Sequence, residues 1–294
     1  MEALKNKIDF AVVFTVKNAN PNGDPLDGNR PRTTYEGLGE VSDVCLKRKI
    51  RNRLMDAGEN IFVQSDNRRK ENDEFRSLKD RADNEPELKE CSKEIKNKKK
   101  TREDYAKIAC KIWYDVRAFG QVFAFKKGKG EDAGSDSVSI GIRGPVSIQS
   151  AYSIEPVNIT STQITKSVNL ETEADPDKKG PDTMGMKHRV DFGVYVTYGG
   201  INVQLAEKTG FSEEDAEALK EALRTLFHND ETAARPAGSM EVINVIWWKH
   251  SCSNGQYSPA KVHRTLRIVC DEKGNVSVNT EDLKDLTPEI IPGE

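Results

Sequence analysis

No stretch of this chain approaches the ~18 consecutive apolar residues that a membrane-spanning helix needs. The opening MEALKNKIDF also lacks the basic-then-apolar pattern of a secretory signal. Cysteine is scarce. Cys45, Cys91, Cys110, Cys252 and Cys270 form an odd, scattered set that suggests no disulfide framework, and reduced thiols in a cytoplasmic protein are expected. Walker A, G-x-G-x-x-G, H-E-x-x-H and nucleophile-elbow motifs are all missing. Apolar residues make up only 36% and aromatic residues 7%, whereas charged residues reach 32%, above the usual ~25%. Strongly periodic apolar segments remain, so full disorder is excluded. The 294 residues suit one large or two ordinary domains with a heavily solvated surface.

Charge of either sign is not in excess. Lys and Arg total 45 against 48 acids, for a net charge of −3 and a pI near 6.0, which predicts no general affinity for nucleic acid. The basic residues are clumped, however: CLKRKIRNR holds five within 45–53, and KEIKNKKKTR holds six within 93–102. Acidic runs lie at Ser212–Glu221 and from Asn279 onward. A neutral protein with a basic stripe can still hold a polyanion along that stripe.

Residues 8–16 (IDFAVVFTV) are apolar on both faces and predict a buried central strand. The next 23 residues carry Asn-Gly, Asp-Gly and Pro turn signals and predict a long functional loop. Ser42 predicts the N-cap of a helix running to Ala57, with Gly58 ending it. Residues 64–104 read as a solvated, partly helical insertion rather than core, followed by a short helix from Tyr105 through Trp113. A glycine-rich loop (KKGKGEDAGSD) then precedes an alternating strand with Val138, Ile140 and Ile142 on one face. Residues 150–187 are polar and threonine-rich, like an extended arm. Val190, Phe192, Val194, Val196 and Tyr198 alternate strictly as a strand. Ser212 caps a second helix with Ala216, Leu219, Leu223, Leu226 and Phe227 on one face. Strands at Glu241–Trp248 and Arg264–Cys270 finish the core. Without the insertions, this is the split β-α-β order of a ferredoxin-like α+β fold, which by itself decides no function.

In the 42–57 helix, Leu46, Ile50, Leu54 and Ala57 align at about 100° per residue into a core-facing stripe. Lys47 and Arg51 flank it on one side with Arg48 beyond them, and Lys49 and Arg53 flank it on the other. Both like-charged i,i+4 pairs cost ~0.2–0.5 kcal/mol in an isolated helix, a penalty that a phosphate backbone removes. The composition allows equally a solvated lysine-rich face. In the loop, Asn18, Asn20, Asn22 and Gly23 imitate half of an EF-hand, but Asn29 stands where the bidentate Glu belongs. Asp24 and Asp27 suit turns, or a metal-dependent nuclease. Arg30 and Arg32, held by Pro31, suit a phosphate or a neighbouring subunit. His250, Cys252, His263 and Cys270 match no standard zinc spacing. Trp247 and Trp248 are consecutive, so one is expected in the core and the other at an interface or half-exposed.

Five stretches carry a resemblance: NANPNGDP with NRPR, SDVCLKRKIR, DVRAFG, GMKHRVDFGVYV and, more weakly, ARPAGSME with its Ser239. In this order and spacing, covering Phe10 to about Trp248, the chain resembles the backbone subunit of type I CRISPR interference (Cascade) complexes, most closely the subtype I-C form. The resemblance implies a ferredoxin-like, RRM-like palm with a helical finger insertion and a protruding thumb hairpin. The palm would comprise residues 1–60, 111–149 and 189–294, the last with the helix at 212–228 and the C-terminal tail. The fingers would be 61–110 and the thumb 150–188. Copies are implied to polymerise head-to-tail along CRISPR guide RNA and to order its bases for pairing with a target DNA strand. A 5′-handle-binding subunit, a large subunit and a small subunit are the other implied partners. Sequence would be read by base pairing, so backbone contacts suffice. Lys47, Arg48 and Arg51 would bind phosphates, with Asn20, Ser42, Arg30, Arg32 and Ser239 beside them. His188 and Arg189 lie at the thumb's return, and Met184 or Met186 is the expected wedge at a displaced base. Arg117 and Phe119 would support the palm. No cofactor, metal or catalytic residue is implied. The alternative is a type III-like subunit that cleaves target RNA with Asp24 or Asp27.

Overall fold

The structure, a computed structural model, describes residues 2–65, 68, 75–124, 139–165 and 184–294. The glycine-rich loop at 126–136, Val138 and the middle of the polar arm (166–183) lie outside the described residues.

Strand β1 (Ile8–Ala19) is followed by three short strands, β2 (Gly23–Asp24), β3 (Arg30–Pro31) and β4 (Leu38–Val41), and by helix α1 (Asp43–Asp56). Helices α2 (Leu78–Asn84), α3 (Pro86–Lys96), α4 (Arg102–Ile112) and α5 (Tyr114–Phe119) form the insertion and its return. Strands β5 (Gly120–Ala124), β6 (Ser139–Arg143), β7 (Val146–Ile148), β8 (Ala151–Pro156), β9 (Ile159–Thr165) and β10 (Met184–Ile201) come next. The chain continues through α6 (Val203–Thr209), α7 (Glu213–Arg224), β11 (Met240–Lys249), α8 (Pro259–His263), β12 (Leu266–Cys270), β13 (Val276–Thr280) and β14 (Glu289–Pro292). Among the described residues, no helix is long and apolar enough to cross a membrane.

The main sheet is antiparallel, in the order β14-β11-β1-β10-β8-β4, with β7 and β9 also paired to β10. β1 is apolar on both faces because both faces are covered. Phe10, Val12, Phe14 and Val16 pack with Leu46, Ile50 and Leu54 of α1 and with Leu219 and Leu223 of α7. Ala11 and Val13 pack with Ile246, Trp248, Val262 and Leu266 on the other side. Truncating Leu46, Ile50 or Leu54 to Ala would cost ~2–5 kcal/mol, as expected for buried aliphatic residues.

Several expectations are corrected here. The segment expected as one long loop after β1 contains three short strands, β2 pairing with β3 and β4 joining the main sheet. Ala57 is the exposed C-cap of α1 rather than part of its buried stripe. α7 ends at Arg224, and Leu226 and Phe227 are buried from the turn that follows. Residues 266–270 form a separate hairpin with β13 over the sheet, and the edge is taken by β14, too short to show as a period. Trp247 and Trp248 are both core, Trp247 stacking on Phe10 and Trp248 lying under α8. The insertion has a core of its own: Phe62, Leu88, Cys91, Tyr105, Ala109, Trp113 and Phe123 cluster together. β10 begins at Met184, inside the segment read as the arm.

Candidate nucleic-acid interface

α1 starts where its sequence says it should. Ser42 Oγ accepts from the Cys45 N–H at 3.3 Å and donates to Asn22 Oδ1 at 2.8 Å, while the Ser42 N–H donates to the same Asn22 oxygen at 2.9 Å. The cap is thereby fastened to the loop that follows β1. Along the helix, most of the expected positive edge is already neutralised. Lys47 pairs with Asp43 at 3.0 Å. Lys49 is buried against Asp230, which also holds Arg235 at 2.9 Å. Arg53 pairs with Asp56 at 2.9 Å and donates to Thr225 Oγ1 at 3.1 Å.

Arg51 is the clearest departure from a free phosphate ligand. Its Nε donates to Asp115 at 2.9 Å, and its guanidinium lies over Phe119, 5.2 Å from the ring centre. Asp115 also accepts from the Phe62 and Val63 N–H groups at 2.7 and 3.1 Å, so Arg51 ties α1 to the insertion. Its neighbour Arg117 grips Asp215 of the α7 capping box through three contacts of 2.7–3.1 Å. DVRAFG is therefore a structural joint, in line with the supporting role expected of Arg117 and Phe119.

Arg48 is different. It is half-buried, and among the described residues it meets neither an acid nor a hydrogen-bond acceptor. Burial, followed by the nearby guanidinium charges of Arg51 and Arg68, lowers its pKa from the ordinary arginine value. A desolvated cation beside two others favours an anion at that spot. Arg68, invisible as a site residue in the sequence, is fixed there by Asp56 at 2.6 Å and the Asn229 carbonyl at 3.0 Å.

A second group forms where the β9–β10 hairpin meets the loop. Arg30 donates to Ser161 Oγ at 3.2 Å, and Ser161 Oγ lies 2.8 Å from His188 Nδ1. The register places His188 opposite Ser161, Met186 opposite Gln163 and Met184 opposite Thr165. Met184, Met186 and His188 therefore share one face of the hairpin. Both methionines are exposed, at 62% and 54%. Arg189 takes the other face, 3.8 Å from Asp191. Ser161 sits in a polar threonine-rich run and shows no sequence signal of its own.

The remaining expected residues are not at the surface or not free. Asn20 is buried, donating to the Asn29 carbonyl at 2.7 Å while its Oδ1 lacks a partner among the described residues. Ser239 is buried too, its hydroxyl without a partner among the described residues and its carbonyl accepting from Lys17 N–H at 2.8 Å. Arg32 pairs with Asp24 at 3.2 Å, and Asp24 also accepts from the Leu26 N–H at 3.1 Å. Among the described residues, no three His, Cys, Asp or Glu side chains gather as metal ligands. The second basic cluster turns between α3 and α4, with Lys98 and Lys99 exposed and Lys100 paired with Glu94 at 2.6 Å.

The family model described as CRISPR-associated protein Cas7 matches residues 6–288. A Haloferax volcanii protein named CRISPR-associated protein Cas7 is 27% identical over 250 residues, covering 79% of this chain and 67% of its own. Two solved chains are similar at low identity. One comes from a CRISPR RNA-guided surveillance complex in a pre-nicking state, with 18% identity, TM-score 0.46, and coverage of 82% of this chain and 75% of the other. The other comes from a CRISPR RNA-guided surveillance complex, with 17% identity, TM-score 0.40, and coverage of 82% and 68%.

Proposed function

The chain belongs to the CRISPR-associated protein Cas7 family, and on that premise we propose that it is a non-catalytic backbone subunit of a type I, I-C-like Cascade complex in the cytoplasm. Copies polymerise head-to-tail along CRISPR guide RNA, hold its phosphates and leave its bases ordered for a target DNA strand. The 5′-handle-binding, large and small subunits complete the assembly. The sheet order β11-β1-β10-β8, with α1 and α7 on one face, supports a ferredoxin-like palm. The self-contained core of the insertion supports a finger unit, and the β9–β10 hairpin supports a thumb. Asp24 is engaged by Arg32 and by the Leu26 N–H, which favours a turn-forming role over cleavage.

The observation that carries the reading is Arg48, a half-buried guanidinium that lacks a counter-charge among the described residues and stands beside Arg51 and Arg68. Because the second face of the sheet is covered, guide RNA runs along the edge of α1 and the foot of the hairpin, not across an open sheet. The Arg30–Ser161–His188 group supplies a second place for a phosphate, and Met184 and Met186 present an apolar face to a displaced base. In the test, Lys47→Glu/Arg48→Glu is compared with the unaltered protein for guide-RNA binding over a salt series. Binding weakens alike for all guide sequences, and the salt slope flattens by about 0.7 per lost single-strand phosphate contact. Unchanged affinity and slope would refute this placement.

A further inference from the structure

A cleft of about 440 Å³ opens between the start of β1, the end of β10 and α8, within the ~300–1,000 Å³ of small-molecule sites. It lies at the opposite end of β1 from the loop joined to Ser42, eleven residues and about 36 Å away at ~3.3 Å per residue. Its floor holds a carboxylate that is only half used. Asp9 is 1% exposed; its Oδ2 takes Lys7 Nζ and His250 Nε2, each at 2.9 Å, while Oδ1 has no partner among the described residues. Asp9 faces Gly200 in the strand register, and a Cβ at position 200 would stand 2.9 Å from that free oxygen. The glycine thus keeps space open over a buried acceptor. His263 borders the same cleft, and its buried Nε2 is likewise unpartnered among the described residues.

Leaving a buried acceptor of this kind unpaired is costly, and a matching donor recovers the loss. Lys7 already balances the Asp9 charge, so the donor that fits is a neutral O–H rather than another cation. A hydroxyl can donate to the carboxylate and still bond to an imidazole nitrogen. At the rim, Arg143 is exposed and has no acidic partner among the described residues, leaving its fork for an anion. We propose that this cleft binds a ribonucleoside monophosphate, free or as the 3′-terminal nucleotide of an RNA chain, with ribose hydroxyl on Asp9 and phosphate on Arg143. Carboxylates read ribose hydroxyls in the same manner in dinucleotide sites. The site is separate from the α1 edge, and either assignment can fail without the other.

The test titrates the full chain with AMP calorimetrically. AMP saturates with a Kd below about 1 mM, and 2′,3′-dideoxy-AMP binds at least about tenfold more weakly. Arg143→Gln, a rim change, and Gly200→Ala, which fills the space above Asp9, each weaken AMP by at least about tenfold, and Arg143→Gln leaves the melting temperature unchanged. A short oligoribonucleotide that displaces AMP, when its 2′,3′-dideoxy-ended counterpart does not, assigns the site to a chain end. Displacement by neither assigns it to the free nucleotide. No AMP binding, equal binding of the dideoxy analogue, displacement by both oligonucleotides, or affinity unchanged in both variants overturns the proposal.

Discussion

Arg48 and Arg51 are three residues apart on one helix and carry the same charge, yet their removal has unequal consequences for stability. Arg51→Ala strips Asp115 of its only charged partner among the described residues. That carboxylate is 1% exposed and the Arg51 side chain 13%. Breaking a buried ion pair by deleting one member costs ~3–5 kcal/mol. Asp115 keeps the N–H groups of Phe62 and Val63, so the lower end applies, about 3 kcal/mol. At ~2–4 °C per kcal/mol for a chain of this size, the melting temperature falls by about 6–12 °C. Arg48→Ala removes a cation that repels Arg51 and Arg68 and bonds to nothing described, so stability changes by no more than ~0.5 kcal/mol. Thermal unfolding of RNA-free protein measures both, and RNA binding at low temperature then separates folding from recognition. Should Arg48→Ala lower the melting temperature as far as Arg51→Ala does, Arg48 has an internal partner and is no vacant anion seat. An unchanged melting temperature for Arg51→Ala would equally remove the structural role assigned to its bond with Asp115.

Two further outcomes follow from buried titratable groups. Burial alone would raise the Asp9 carboxyl, but hydrogen bonds from His250 and Lys7 outweigh it and hold the pKa below the ordinary aspartate value. A depressed folded-state pKa gives stability that is complete above the unfolded value of ~3.9 and disappears as pH falls through the folded value. Urea unfolding between about pH 3 and 7 should therefore show a gap between the unaltered protein and Asp9→Asn that is constant at neutral pH and narrows in acid, and a widening gap refutes the assignment. Burial pushes the Cys110 thiol up to about 12 and raises that of Cys91, whereas Cys252 is exposed. At pH 7 only about one Cys110 in 10⁵ is thiolate. Mass spectrometry after brief alkylation should find Cys252 modified and Cys110 intact until the chain is unfolded; early modification of Cys110 contradicts its packing.

What could be read in the sequence was whatever a local period or cap encodes. Ser42 begins α1, Leu46, Ile50 and Leu54 turn inward, and β1 and the second half of β10 follow their apolar patterns. Helical spacing also put Lys47 and Arg51 on one flank, but it says nothing of what that flank touches. The partner of Arg51 lies 64 residues away, and that of Lys49 lies 181 away. Distant acids therefore relieve the like-charge cost that an external anion would otherwise remove. Short strands carry too few residues to show a period, which hid β2, β3 and β14. Ser161 was hidden for another reason. Its position depends on strand register across a hairpin and on Arg30, 131 residues distant.

The internal pairing also reconciles a near-neutral chain with the nucleic-acid role proposed for it. Of the five cations in residues 45–53, four spend their charge inside the protein, so most of the basic cluster builds the joint between α1, the insertion and the loop before β11. Of these five, only Arg48 stands without a counter-ion among the described residues. A single such site would bind RNA feebly. In the proposed filament on one guide, each copy after the first would be held at high effective concentration by its neighbours, so weak contacts would multiply along the strand. Released counter-ions would add copy by copy, and the salt slope would grow with length while each subunit, at a net charge of −3, stays near neutral. A strongly basic subunit would gain affinity at the cost of binding any polyanion singly. On the proposed assembly, sparse charge repeated in register would favour a long guide over a short or unrelated RNA.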